Sequence, residues 1–208
     1  VSSIFDGSAD NLNVKELREQ LIGKIRTSMQ KVFDNLILTG VGDPLQDGDF
    51  FFDKGASKNF RYMNLSGGEK AAFDLLLDYI LKLDEFDDTI FCIDEPELHM
   101  HTRLQGQLLR ELYDLTPDNC QLWISTHSIG MMRTARDISN ETPGKVSMLN
   151  FFDIDFDQPT ELKPQETNRN FWKSTLEIAL DDLSTLVAPS RVYICEGSAQ
   201  AGPKGDFD

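Results

Sequence analysis

Ile90-Phe91-Cys92-Ile93-Asp94-Glu95-Pro96 is an uninterrupted apolar run that ends in two adjacent carboxylates and a proline. Continuous rather than alternating apolar residues suit a strand covered by helices on both faces, so the run predicts a central strand of a parallel α/β sheet. Such sheets bind ligands at the carboxyl edge of their strands, which is where Asp94 and Glu95 stand. The first carboxylate fits a Mg²⁺ role, because that ion is usually held by one or two carboxylates and water. The second, Glu95, fits a general base that orients or polarises an attacking water. The plainer alternative is a carboxylate pair that caps the following helix.

Working outward, a helix from about Thr102 to Leu115 leads to Gln121–Ser125, whose Leu122-Trp123-Ile124 is again continuously apolar and predicts a second central strand. It delivers Ser125-Thr126-His127-Ser128 to the same edge, where His127 can reach a γ-phosphate. All three histidines, His99, His101 and His127, lie within or beside these two motifs. Upstream, Leu65-Ser66-Gly67-Gly68-Glu69-Lys70 opens a helix running to about Leu83, and its two glycines leave backbone N–H groups unobstructed at the positive helix end. Ser66 and Glu69 also have the spacing of a plain capping box.

Before that motif, Leu17, Leu21, Ile25, Met29, Val32, Phe33 and Leu36 recur at helical spacing, with Asn13 and Glu16 as cap and N3 partner. One long amphipathic helix, Asn13 to Leu38, is expected, broken by Gly40, Gly42 and Pro44. Phe50-Phe51-Phe52 and Phe60-Arg61-Tyr62 then predict short strands joined by a polar turn around Gly55. Beyond the central motifs the expectations are a helix near Ile129 to Arg136, a strand from Val146 to Phe152, a helix from about Asn168 and a last strand from Arg191 to Cys195.

The 208 residues carry a formal charge of −15 and a pI near 4.5, which argues against a broad phosphate-binding surface of the kind that displaces counterions from nucleic acid. Cys92, Cys120 and Cys195 are an odd number without ligand-like spacing, and predict reduced, structural thiols in a cytoplasmic protein. No apolar run reaches membrane-spanning length. The start is neither a signal peptide nor a Met, and the chain stops soon after a strand-like segment, so both ends are expected to be cuts.

Taken in order, these motifs resemble an ABC-class ATPase. Leu65 to Lys70 resembles the ABC signature, Ile90 to Glu95 the Walker B strand, Pro96 to His101 the D-loop region, and Ser125-Thr126-His127 the switch histidine. The form Asp94-Glu95-Pro96-Glu97-Leu98-His99-Met100-His101 is more specific, and is similar to the AAA-type ABC ATPases of the overcoming-lysogenisation-defect (OLD) group and related phage-defence ATPases, including the PARIS-like ones. The resemblance implies the carboxyl-terminal half of a parallel-sheet P-loop NTPase head with a helical insert at the amino end. Residues 1–62 would hold the insert and short strands, 63–188 the ATPase core, and 189–208 a last strand or the start of another domain.

It implies further that two heads sandwich ATP and Mg²⁺, so that Ser66, Gly67, Gly68 and Glu69 of one head face nucleotide held by the other, Asp94 holds Mg²⁺ through water, and Glu95 and His127 are catalytic. The chain departs from the pattern in having no Gly-x-x-x-x-Gly-Lys-Ser/Thr, the Walker A segment. That segment is expected upstream of Val1 or, failing that, on another polypeptide. His99 and His101 with Glu97 admit a metal-cluster reading as well, although a D-loop contact across the dimer fits better.

Arg191-Val192-Tyr193-Ile194-Cys195-Glu196-Gly197 resembles the opening of a Toprim-type nuclease domain, with Glu196 and Asp208 as candidate metal ligands; a strand completing the ATPase sheet fits equally. The expected function is an ATP-hydrolysing homo-oligomer that controls a fused or separate Toprim-like nuclease effector in anti-phage defence, with a phage protein as trigger. The alternative is a DNA-repair or chromosome-maintenance head that clamps DNA. DNA binding stays open, and no membrane association is expected.

Overall fold

Apolar residues at helical spacing wind Val14–Val32 into helix α1, which buries Ile22, Ile25, Met29 and Val32. In the computed structural model the described residues are 14–42, 48–151, 154–155, 157–159, 161–165, 168 and 171–172. The helix was expected to reach Leu38, but it ends at Val32, and Leu36–Val41 is strand β1. Leu36 and Leu38 are buried while Ile37 and Thr39 are exposed, a period of two. Phe33 and Leu36 fit either period over so short a window; antiparallel pairing with β2, Phe50–Lys54, decides it.

Strand β2 turns through Gly55, whose φ of +56° suits the left-handed region, into β3, Ser57–Arg61. The three strands form an antiparallel sheet in the order β1-β2-β3. A 3₁₀ turn, Tyr62–Asn64, then feeds helix α2, Gly67–Glu85. Phe73, two turns into α2, meets Phe52 edge-on with centroids 5.2 Å apart and Phe50 at 4.8 Å, so the hairpin packs against the first turns of α2.

Strand β4, Ile90–Asp94, pairs in parallel with β5, Gln121–Ser125, and helix α3, Thr102–Leu115, joins them. Helix α4, Ile129–Glu141, packs on α3 so closely that a Cβ on Gly130 would run into the Thr102 carbonyl. Expected to end near Arg136, α4 continues to Glu141, whose carboxylate takes two hydrogen bonds from Arg110 on α3. Between α1 and α3, buried Glu111 accepts from Ser28 Oγ at 2.7 Å.

Two expectations are corrected. The β4–β5 pair is not covered on both faces among the described residues: Ile90 is 58% and Trp123 51% exposed, and Cys92 between them is exposed, while Phe91 is buried. A continuously apolar sequence here serves one covered face and one open face, which sequence periodicity cannot distinguish. Val146–Phe151, expected as a strand with Phe152, has no strand structure; Met148 turns inward and its carbonyl accepts a single bond from Gln165 N–H at 2.8 Å.

The chain divides into two compact units, Val1–Thr167 and Asn168–Asp208. In the second, Phe171 and Trp172 are helical, in keeping with a helix near Asn168. The cap Asn13, Pro44, the strand Arg191–Cys195, and the candidate ligands Glu196 and Asp208 lie outside the described residues.

Candidate active site

Parallel pairing of β4 with β5 sets Asp94 opposite Ser125, and the Ser125 hydroxyl donates to Asp94 Oδ1. The chain leaves β4 through Glu95, whose N–H donates to the Ser125 carbonyl at 3.0 Å and whose φ is +43°. A glutamate in the left-handed region is uncommon, and such strain persists where the surroundings over-determine it, often at functional sites. The bend aims the Glu95 carboxylate at the loop after β5, where His127 Nε2 lies 3.5 Å from Glu95 Oε1. Asp94, Glu95 and His127 are therefore brought to one edge.

Glu97, in contrast, turns inward and is 9% exposed. Its Oε1 accepts from Thr126 Oγ1 at 2.6 Å and from the His127 backbone N–H at 2.8 Å. Glu97, His99 and His101, which admit a metal-cluster reading in the sequence, do not gather into one, and His101 instead caps α3, its Nδ1 accepting from Arg103 N–H at 3.4 Å. Among the described residues no three His, Cys, Asp or Glu side chains form a metal site. The oxygen donors at the edge, Asp94 and Ser125, suit a hard ion that keeps water and takes phosphate oxygens, as Mg²⁺ does.

A separate cleft of about 530 Å³ opens at the start of α2, lined by Lys54, Ser66, Gly68, Glu69, His99 and His101 among others. Ser66 and Glu69 form a reciprocal capping box: Ser66 N–H donates to Glu69 Oε2 at 2.8 Å, and Ser66 Oγ accepts from Glu69 N–H at 3.4 Å. The box takes the N–H groups of Ser66 and Glu69 and not those of Gly67 and Gly68, so a capping role is compatible with an open helix start. Burial pushes the Glu69 carboxyl up, yet hydrogen bonds from Lys54 Nζ at 2.6 Å and from Ser66 outweigh it and hold it below the usual glutamate value. Gly68 lies so near the Pro96–His101 loop that a Cβ there would stand 2.6 Å from the His99 carbonyl oxygen.

Sequence reasoning missed Lys54, because nothing in a hairpin sequence says which helix end it will meet. It saw Glu97 but not its direction.

The sequence matches a family model described as AAA domain, putative AbiEii toxin, Type IV TA system, over residues 6–133. The chain belongs to this family. Among curated proteins none matches the sequence. A structure from work on ATP-driven dimerisation and DNA-stimulated activation of SMC ATPases is similar to this AAA-family chain with a TM-score of 0.51 at 14% identity, covering 84% of this chain and 98% of the other. The SmcHead bound to the C-winged helix domain of ScpA gives 0.45 at 20% identity over 58% of this chain. The Smc head domain with an extended coiled coil, bound to the C-terminal domain of ScpA derived from Pyrococcus furiosus, gives 0.45 at 18% over 64%. This AAA-family chain spans 38% and 34% of the length of those last two. The first likeness bears on the fold alone, an α/β arrangement that this chain shares with that structure.

Proposed function

We propose that this AAA-family chain hydrolyses ATP as part of a head that pairs with a second head around the nucleotide, and that the pairing controls an effector in anti-phage defence. The observation that carries the reading is the Glu95–His127 contact of 3.5 Å at the edge where Asp94 meets Ser125. Phosphoryl transfer asks mainly for positioning and charge stabilisation, and this edge offers a base, an imidazole and an oxygen ligand together.

In this reading Asp94 holds Mg²⁺ through water, Glu95 orients the attacking water, and His127 meets the γ-phosphate. When bound, Mg²⁺-ATP supplies the reacting phosphoryl group and the charge that offsets it. The helix start at Ser66, Gly67, Gly68 and Glu69 serves nucleotide held by the partner head; the lining of the cleft there includes none of Asp94, Glu95 and His127, which supports a site split between heads. Hydrolysis further needs a Gly-x-x-x-x-Gly-Lys-Ser/Thr segment, which these 208 residues lack. The SMC ATPases of the similar structure dimerise with ATP, which supports pairing as the mode of action.

The defence role rests on the Asp94-to-His101 sequence and its resemblance to phage-defence ATPases, with a Toprim-like effector, a phage protein as trigger and a cytoplasmic location as parts of the same proposal. A DNA clamp is the second reading, favoured by the SMC-like fold and opposed by the charge of −15. The test is ATP turnover by the complete protein beside Glu95→Gln, with and without duplex DNA. Turnover that vanishes in the variant and ignores DNA is the expected result; strong stimulation by DNA would transfer the assignment to the clamp, and equal turnover in both proteins would remove Glu95 from the chemistry.

A further inference from the structure

Glu97 is a buried carboxylate that the proposed chemistry leaves unused, and its bonds run to the loop that carries His127. Its Oε1 accepts from Thr126 Oγ1 at 2.6 Å and from the His127 backbone N–H at 2.8 Å, while Oε2 is buried and has no donor among the described residues. The main chain of Glu97 is tied as well: its carbonyl accepts from Met100 N–H at 3.0 Å and from Gln105 Nε2 at 3.3 Å. Gln105 Oε1 in turn accepts from Ser128 Oγ at 2.5 Å, the residue after His127. Glu97 in the loop after β4 and Gln105 on α3 therefore grip the β5 loop immediately before, at and after the histidine.

The imidazole itself is 70% exposed, and Glu95 stands against it at 3.5 Å. The backbone sets the point from which so open a side chain reaches, and that backbone is held by Glu97 with Gln105 beside it. A buried carboxylate is a costly way to hold a loop unless its bonds must be short and directional, which an ionised acceptor supplies.

We propose that Glu97 is a positioning residue that sets His127 against Glu95, resting on the assignment of those two residues to phosphate chemistry. Glu97 touches neither nucleotide nor water in this scheme. It acts through the loop, so its loss leaves ATP binding intact and misplaces one group at the reacting edge.

The experiment uses the complete protein as parent, Glu97→Ala, Glu97→Gln and Thr126→Val, and measures kcat and KM for ATP together with hydrogen exchange of the His127 amide. Glu97→Ala is expected to lower kcat by roughly 100-fold, the scale set by small misplacements, with KM within about twofold, and to speed His127 amide exchange. Glu97→Gln keeps an oxygen that can accept both bonds and restores most of both properties. Thr126→Val removes one donor while keeping Glu97, and gives a smaller kcat loss in the same direction even if the alanine variant fails to fold. Unchanged amide exchange in a folded Glu97→Ala, or normal kcat in both Glu97→Ala and Thr126→Val, overturns the proposal. If the parent does not hydrolyse ATP, the phosphate-chemistry assignment fails, while the amide exchange still decides whether Glu97 holds the loop.

Discussion

His127 Nε2 lies 3.5 Å from Glu95 Oε1, and the backbone that brings Glu95 there has a φ of +43°. A non-glycine residue held in that region costs on the order of 1–3 kcal/mol. Glycine takes the same conformation without the Cβ penalty, though it loses more chain entropy on folding. Glu95→Gly is therefore expected to unfold at the same temperature as the parent or higher while ATP turnover is lost. A clear drop in melting temperature would mean that the carboxylate, and not only the bend, stabilises the edge.

Gly67 and Gly68 are neighbours in the sequence and unlike in their surroundings. Alanine is favoured over glycine within a helix by roughly 0.5–1 kcal/mol, but overpacking costs about 1–3 kcal/mol. At Gly68 the new Cβ would stand 2.6 Å from a backbone oxygen of His99, which cannot rotate away, so the clash wins; at Gly67 the nearest atom is the His99 Cβ at 3.8 Å. Gly68→Ala is expected to lower the denaturation midpoint and Gly67→Ala to leave it level or raise it. Equal effects would show that the loop yields.

Two exposed lysines make ion pairs of different worth. Lys24 meets Asp84 at 2.7 Å with both partners exposed, a pair expected to contribute about 0–1 kcal/mol. Lys31 reaches Glu111 Oε2 at 2.8 Å, out of hydrogen-bonding alignment, but that carboxylate is 2% exposed and its other oxygen is held by Ser28. Removing Lys31 leaves a buried charge less compensated, at a cost of about 1–3 kcal/mol. Urea unfolding of Lys31→Ala and Lys24→Ala should therefore differ, with Lys31→Ala the less stable; similar midpoints would mean that water reaches Glu111.

Because the Glu69 carboxyl is held below its ordinary value in the folded chain, its stabilising contribution is full above the unfolded-state value and is lost as pH falls through the folded one. Acidification from neutrality should loosen the Lys54–Glu69–Ser66 connection at the start of α2. The parent is expected to lose more stability than Glu69→Gln over that acid range. Parallel pH profiles for the two proteins would remove Glu69 from the acid response.

Much of the α/β pattern was legible because periodicity, glycine and proline act locally. The α3 bounds Thr102–Leu115 and the β5 bounds Gln121–Ser125 agree with expectation, and Gly55 marks the hairpin turn. The strand end at Asp94-Glu95 and the Ser66-Gly67-Gly68-Glu69 helix start were likewise visible, since each is a short stretch with its own chemistry. Leu36 to Leu38 went wrong where two periods fit a few residues equally.

The sequence by itself determined which side chains stand at strand ends and helix starts, because those positions follow from local hydrophobic period and backbone preference. Only the tertiary structure decided which of them meet. The Lys54 contact with Glu69, the inward turn of Glu97 onto Thr126 and His127, and the open face at Ile90 and Trp123 depend on packing between elements distant in the chain. Contact energies of that kind belong to pairs of surfaces, and a single strand or loop carries only one of the two.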